Sequence, residues 1–131
     1  MLNNIIQRTI NLKNAAYAPY SNFRVGAIIV TQDDVLYTGC NIEISSYSLT
    51  ICAERVAIFK AVSEGEREVK AIYIATDTEN FCPPCGACRQ VLWDLAGNIK
   101  VIMINKNGEH QAEMLQDLLP QAFDKNFFED L

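Results

Sequence analysis

The chain has 131 residues, of which 50% are hydrophobic, and its formal net charge is −5. This length predicts one domain spanning residues 1–131, with enough apolar surface to form a core without disulfide bonds. The acidic balance argues against nucleic acid as a partner, because nucleic-acid binders need a basic face to displace counterions.

The same composition argues against a membrane protein or an exported one. Apolar runs stay well short of the roughly 20 residues that span a bilayer. The N-terminus lacks the basic and apolar segments of a signal peptide. The five cysteines are therefore expected to be reduced thiols in the cytoplasm rather than a disulfide framework.

Apolar spacing and turn residues predict an opening helix, a hairpin, and then alternating helices and strands. In chain order, the predicted elements are a helix over 2–18 broken by a loop over 17–22, strands over 23–31 and 35–42, a helix over 52–64 capped by Ser48 or Thr50, a strand over 69–75, a helix over 85–96 after Pro84, a strand over 101–104, and a short helix over 114–119. This order predicts a mixed sheet covered by helices, which is a three-layer α/β/α domain.

Three cysteines in two short motifs carry most of the functional information. One motif is Cys52-Ala53-Glu54, and the other is Pro84-Cys85-Gly86-Ala87-Cys88. Cys85 and Cys88 are three residues apart, so on a helix they face one side and can bind one ion. Structural zinc sites usually have four protein ligands, whereas catalytic sites keep one position open for water. Three thiolates beside an acid therefore indicate hydrolysis by zinc-activated water.

The residues next to these cysteines fit that chemistry. Glu54 is not needed as a ligand, and a carboxylate beside the activated water can take its proton and pass it on. Zinc nucleobase deaminases share this layout, in which His or Cys, any residue and Glu precede a Pro-Cys-x-x-Cys motif. Arg55 and Arg89 directly follow the two motifs, and we expect them to donate hydrogen bonds to the thiolates.

Almost the whole chain resembles the small cytidine deaminases of pyrimidine salvage. The segments that carry the resemblance are Tyr20 to Ala27, Gly39 to Glu43, Tyr47 to Arg55, Pro84 to Gln90, and Leu118 to Phe123. The resemblance implies a cytidine deaminase-like fold with a mixed sheet of roughly five strands. It also implies hydrolysis of cytidine and deoxycytidine to the uracil nucleosides and ammonia, one Zn²⁺ per chain, and a homotetramer with active sites at subunit interfaces.

Carried over position by position, the resemblance assigns a role to each candidate site residue. Cys52, Cys85 and Cys88 would hold zinc. Glu54 would deliver one proton to N3 of the pyrimidine and a second to the departing amine. The residues expected to bind the substrate are Phe23 and the main chain of Ala53 at the base, Asn41 and Glu43 at the ribose hydroxyls, Tyr47 at a subunit contact near the site, and Phe123, which would stack on the base in a neighbouring subunit.

Cys82 leaves two other interpretations open. Cys82, Cys85 and Cys88 form overlapping Cys-x-x-Cys pairs, which are typical of thioredoxin-like redox motifs, but such a motif leaves Cys52 and Glu54 unexplained. In the more serious alternative, Cys82 is a fourth ligand that closes a structural zinc site.

The function also has alternatives of different classes. A deaminase of the same fold could act on another aminopyrimidine compound or on a polynucleotide. The non-enzyme alternative is a cysteine-zinc interaction module.

Overall fold

The computed structural model describes residues 2–129. The helices are α1 (Leu2–Leu12), α2 (Ala53–Ser63), α3 (Gly86–Ala96), α4 (Leu115–Leu118) and α5 (Asn126–Glu129). The strands are β1 (Val25–Thr31), β2 (Leu36–Cys40), β3 (Val69–Thr76), β4 (Lys100–Ile104) and β5 (His110–Met114). Within residues 2–129, the helices are too short or too polar to cross a bilayer.

The five strands form one mixed sheet in the order β2-β1-β3-β4-β5. The pair β3–β4 is parallel, and the other three neighbouring pairs are antiparallel. One face of the sheet packs against α1 through residues that include Ile28 and Val30, and the other packs against α2 and α3 through residues that include Ile29 and Ile72. These two cores confirm the predicted three-layer α/β/α fold with a mixed sheet of five strands.

The predictions are wrong at one helix end and at one edge of the sheet. The first helix stops at Leu12, because the backbone of Tyr17 pairs with the chain after β2: its N–H donates to Asn41 O at 2.9 Å and its O accepts from Glu43 N at 2.8 Å. Strand β5 was not predicted, because its residues are mostly polar and exposed. Its position at the sheet edge is determined by pairing with β4 rather than by its own hydrophobic pattern.

The helices that carry the cysteine motifs begin later than predicted. Neither Ser48 nor Thr50 caps α2, because Ser48 lies in a short 3₁₀ turn and the Thr50 hydroxyl accepts a hydrogen bond from Ile44 N at 3.0 Å. The N-cap position of α2 is Cys52, and that of α3 is Cys85. Both cysteines therefore lie at helix starts, where free backbone N–H groups stabilise a thiolate.

Gly39 allows strand β2 to lie directly against the first turn of α2. A Cβ atom at this position would be 2.4 Å from the carbonyl oxygen of Ala53 and 2.7 Å from the backbone nitrogen of Ala57. Because both neighbours are backbone atoms, a larger residue would displace the start of the helix. The glycine thus helps to place the first cysteine motif against the sheet.

An ion pair between Lys13 and Asp77 predicts a pH-dependent contribution to stability. Their Nζ and Oδ1 atoms are 2.7 Å apart, and the Lys13 side chain is only 9% exposed. Hydrogen bonding and charge from Lys13, together with Arg24, hold the pKa of Asp77 below its usual value. We expect Asp77→Asn to lower the free energy of unfolding by about 1–2 kcal/mol at neutral pH, because it removes the negative charge that compensates the mostly buried Lys13.

The sign of this effect follows from the lowered pKa of Asp77. The stabilisation is present above the unfolded-state pKa of about 3.9 and is lost as the pH falls through the lower folded-state pKa. The free energy of unfolding is measured with urea between pH 7 and pH 3. The values for Asp77→Asn and for the unsubstituted protein should approach each other at the acid end. Glu79→Gln, which removes an exposed pair with Lys106, is the matched control and should have a smaller effect. If the free-energy difference between Asp77→Asn and the unsubstituted protein persists or grows toward acid pH, the stabilising role of the ion pair is contradicted.

Candidate metal centre and active site

Three sulfur atoms from two helix starts converge at one point. The Sγ atoms of Cys52, Cys85 and Cys88 all lie within 4.8 Å of one another, and those of Cys52 and Cys85 are 3.9 Å apart. Sulfur ligands at about 2.3 Å from a tetrahedral Zn²⁺ are about 3.8 Å apart. The donor type and the spacing therefore fit a zinc ion, as the two motifs predicted.

The charges within this group also fit a cation. A hydrogen bond from the Cys88 thiol, with further help from Arg55, lowers the pKa of Cys52 to about 5. The same hydrogen bond and burial raise the pKa of Cys88 well above its usual range. Cys88 is 0% exposed, so its thiolate forms at neutral pH only beside a compensating positive charge. This behaviour is typical of cysteines that lose their protons as a metal binds.

The two arginines that follow the motifs have different contacts. Arg55 Nη2 donates a hydrogen bond to Cys52 Sγ at 3.3 Å, as predicted. The prediction for Arg89 is wrong, because its Nε donates to Pro84 O at 2.8 Å and its Nη1 to Leu118 O at 2.9 Å. Arg89 therefore joins the loop before α3 to the end of α4, rather than neutralising a thiolate.

The Arg55 contact predicts a measurable effect on metal affinity. Three thiolates on one Zn²⁺ leave a local charge of −1, which Arg55 offsets. We expect Arg55→Gln to weaken zinc binding by about 10–100-fold, as is usual when a group that supports a metal ligand is removed. Titration against a competing chelator measures the affinity. Arg8→Gln, on the exposed surface of α1, is the control and should leave it unchanged. Equal affinities for Arg55→Gln and the unsubstituted protein would count against this role.

A cavity of about 310 Å³ opens beside the sulfur atoms. It is lined by Ser21, Phe23, Val25, Asn41, Glu43, Thr50, Cys52, Ala53, Glu54, Ile74, Thr76, Cys82, Pro83 and Cys85. An adjoining cavity of about 380 Å³ is lined by Tyr20 and Tyr47 and shares Ser21, Glu43 and Thr50 with the first. The metal site thus lies in a cleft that is large enough for a small organic substrate.

Glu54 lies in the first turn of α2, on the cavity wall beside Cys52. Its side chain is buried, and this burial raises the pKa of its carboxyl group to about 7, with a smaller contribution from the charge of Cys52. An acid with a pKa near neutrality is suited to both taking up and releasing a proton. The structure therefore places a buried carboxyl group with a pKa near neutrality on the cavity wall, beside the first cysteine motif.

Asn41 and Glu43 line the cavity and also hold the loop before β1. The Asn41 side chain accepts from Val25 N at 2.9 Å and donates to Phe23 O at 2.7 Å. Glu43 Oε1 accepts from the backbone N–H groups of Tyr20 and Ser21, each at 3.0 Å. Glu43 Oε2 accepts from the Ser21 hydroxyl. Sequence reasoning missed these contacts, because the two segments lie about twenty residues apart and neither has a periodic pattern that predicts them.

The other residues expected at the substrate occupy three different places. Phe23 and Ala53 line the cavity beside the sulfurs. Tyr47 lines the adjoining cavity, where its ring meets that of Tyr20 edge to face with centroids 5.5 Å apart. Phe123 lies outside the cavity of its own chain, in an exposed aromatic cluster formed by Phe123, Phe127 and Phe128.

Cys82 lines the cavity, but its sulfur is not part of the three-sulfur group. Its thiol faces the carbonyl oxygen of the neighbouring Pro83 at 3.7 Å. Burial and the charges of Glu54 and Cys85 raise the pKa of Cys82, which favours the neutral thiol. This placement argues against a structural site closed by Cys82 as a fourth ligand.

Comparison with known proteins identifies the family. The model described as the cytidine and deoxycytidylate deaminase zinc-binding region matches residues 2–105. The chain belongs to this deaminase family. The cytidine deaminase of Sporosarcina psychrophila is 46% identical, with 92% of this chain and 90% of the relative covered. That of Halalkalibacterium halodurans is 48% identical, with 91% of each covered.

Solved structures of cytidine deaminases share the fold. The structure from Burkholderia pseudomallei matches with a TM-score of 0.90 and 42% identity, covering 94% of this chain and 99% of that one. The structure from Mycobacterium tuberculosis matches with a TM-score of 0.78 and 35% identity, covering 92% and 95%. The cytidine deaminase-like fold is therefore confirmed. The family's zinc-binding region and the three-sulfur group together identify Zn²⁺ as the cofactor.

Proposed function

We propose that this deaminase hydrolyses cytidine and deoxycytidine to uridine and deoxyuridine, with release of ammonia. The proposal rests mainly on Glu54. This buried carboxyl group, with a pKa of about 7, lies on the wall of the cavity next to the three convergent thiols. The relatives named above as cytidine deaminases support the same substrate.

The proton transfers are assigned to Glu54. When bound by Cys52, Cys85 and Cys88, zinc supplies Lewis acidity that lowers the pKa of water to near neutrality. The Glu54 carboxylate takes a proton from the attacking water and delivers it to N3 of the pyrimidine. The remaining hydroxide oxygen bonds to C4. Glu54 then moves the proton of this new hydroxyl group to the amino group, whose bond to C4 breaks as ammonia leaves. Burial raises the pKa of this carboxyl group, which favours its accepting a proton as well as releasing one.

Recognition of the sugar is assigned to Asn41 and Glu43. A carboxylate has about four acceptor positions, and the loop uses three of those on Glu43. The Asn41 amide has two N–H groups, and one of them is used by Phe23 O. At least one donor, on Asn41, and one acceptor, on Glu43, therefore remain for the ribose hydroxyl groups. Phe23 and the main chain of Ala53 are left to contact the base.

The charges in the cleft favour a free nucleoside over a nucleotide. Two carboxyl groups, Glu43 and Glu54, line it, and within residues 2–129 the lining includes no Lys, Arg or His. Phosphate groups are usually bound by Arg, Lys or clustered backbone N–H groups. A 5′-phosphate would therefore meet negative charge in this cleft, with no basic side chain from the described part of the same chain lining it to compensate.

We infer that the active protein is a cytoplasmic homotetramer of single catalytic domains, with active sites at subunit interfaces and without nucleic acid as a partner. Support comes from the cluster of Phe123, Phe127 and Phe128, whose side chains are each more than half exposed. In such an assembly Phe123 would stack on the base in a neighbouring subunit, and Tyr47 would lie at a subunit contact. All five cysteines are free, which suits a reducing compartment.

A substrate panel tests the proposal. Cytidine, deoxycytidine, cytidine monophosphate, cytosine and adenosine are each incubated with the zinc-loaded protein, and deamination is followed by ultraviolet absorbance. We expect turnover of the first two compounds. Turnover of the monophosphate without cytidine would refute the free-nucleoside assignment. Failure to turn over any of the five would favour an interaction module.

A further inference from the structure

Ser21 connects the candidate sugar-binding carboxylate to the loop that carries Phe23. Its hydroxyl donates a hydrogen bond to Glu43 Oε2 and accepts one from Phe23 N at 3.0 Å. Its backbone N–H donates to Glu43 Oε1 at 3.0 Å. Ser21 therefore contacts both oxygens of Glu43, and its hydroxyl group both donates and accepts a hydrogen bond.

These contacts restrict the position of the Glu43 carboxylate. Glu43 is only 8% exposed, and the three hydrogen bonds to its carboxylate all come from Tyr20 and Ser21. Oε1 receives two backbone bonds, so both of its acceptor positions are occupied. Oε2 receives only the Ser21 hydroxyl, and this oxygen keeps the free acceptor position. The Ser21 hydroxyl, together with the two backbone bonds to Oε1, thus orients that remaining position, and it is the one of the three bonds that contacts the same oxygen.

Ser21 and Glu43 lie where the two cavities meet, so this remaining acceptor is at the junction of the cleft. The lowered pKa of Glu43, for which the Ser21 hydroxyl is the largest cause, keeps the carboxylate ionised there. The loop that supplies these bonds also includes Asn22 in a left-handed conformation, with a φ of 57°. Glu43 and Ser21 together therefore hold a tight turn next to the substrate cleft.

We propose that Ser21 is a positioning residue that orients the Glu43 carboxylate for one substrate hydroxyl group. Ser21 acts through Glu43 and does not touch the reacting atoms. This inference rests on the proposed function, because it assumes that Glu43 receives a hydroxyl group of the nucleoside sugar. It predicts that removing the Ser21 hydroxyl weakens binding only of ligands that carry that hydroxyl group.

Ser21→Ala is tested with cytidine as substrate and 2′,3′-dideoxycytidine as competing inhibitor. We expect KM for cytidine to rise about tenfold, in line with loss of a hydrogen bond to a charged group. We expect kcat, and the inhibition constant of the dideoxy compound, to change by less than about twofold, because neither involves the sugar hydroxyls. Ser21→Thr, which keeps the hydroxyl group, should restore the KM. Ser63→Ala, an exposed serine at the end of α2, is the matched control.

A double substitution separates this role from a purely structural one. If Ser21 acts through Glu43, adding Ser21→Ala to Glu43→Gln should cause no further rise in KM for cytidine. Three outcomes would overturn the inference. In Ser21→Ala, the affinities for cytidine and for the dideoxy compound could fall equally, or the KM for cytidine could stay unchanged. In the double variant, the effects of Ser21→Ala and Glu43→Gln on KM could add. If the unsubstituted protein does not deaminate cytidine, the proposed function itself fails. These outcomes are distinct, because the first three require an active enzyme.

Discussion

Replacing Glu54 by glutamine should lower kcat for cytidine by about 10²–10⁴-fold, the usual contribution of general acid–base catalysis. Glutamine has nearly the same shape as glutamate and fits the same buried position, but it cannot take up and release a proton. The three sulfur ligands are unchanged, so zinc should remain at one per chain. Steady-state kinetics and metal analysis on the same preparation measure both quantities.

Glu64→Gln is the matched control for this substitution, because Glu64 lies at the other end of α2 on the exposed surface. It should leave kcat and zinc content unchanged. An active Glu54→Gln protein would remove Glu54 from the proton-transfer role. Loss of zinc from Glu54→Gln would instead show that this carboxyl group supports metal binding, and the loss of activity would then have a different cause.

Cys88→Ser should abolish zinc binding and with it both activity and part of the stability. Cys88 is fully buried near the other two sulfurs and Glu54, and a serine hydroxyl does not ionise there to replace the thiolate. We expect activity to fall by more than about 10³-fold, because the water then keeps a pKa far above neutrality. Bound metal at 1,000 times its Kd stabilises a folded protein by about 4 kcal/mol, so the thermal midpoint should fall as well.

Cys82→Ser is the control that distinguishes the two interpretations of the zinc site. Cys82 lines the same cavity but lies outside the three-sulfur group, so this variant should retain one zinc per chain. Loss of zinc from Cys82→Ser, at the level expected for Cys88→Ser, would show that Cys82 closes the site as a fourth ligand. The site would then be structural, and Glu54 would have no catalytic role to perform.

The metal centre could be predicted from the sequence because each of its two motifs is local, and together the motifs match the layout of zinc nucleobase deaminases. Cys85 and Cys88 are brought together by a single helical turn, and Glu54 lies on the same helix start as Cys52. The contact of Arg55 with Cys52 also spans three residues. By contrast, Arg89 binds a carbonyl group 29 residues away, and Ser21 binds a carboxylate 22 residues away. Such pairs depend on how loops pack after folding, and no spacing pattern indicates them.

The fold shows the same division between local signals and long-range pairing. The buried apolar runs of β1, β3 and β4 were predicted within one or two residues, because their hydrophobic side chains alone determine that they lie inside. Strand β5 is polar and exposed, and only its pairing with β4 identifies it. The first helix ends early for a similar reason, since Tyr17 pairs with residues that are distant in the sequence.

Re-addition of zinc to chelator-treated protein is the most direct test of the three-thiolate active site. Cytidine turnover is measured as the bound zinc rises from zero to one per chain. We predict that turnover increases in proportion to zinc and reaches its maximum at one ion per chain. Full turnover without bound metal, or one tightly bound zinc per chain with no turnover of cytidine or deoxycytidine, would contradict this account.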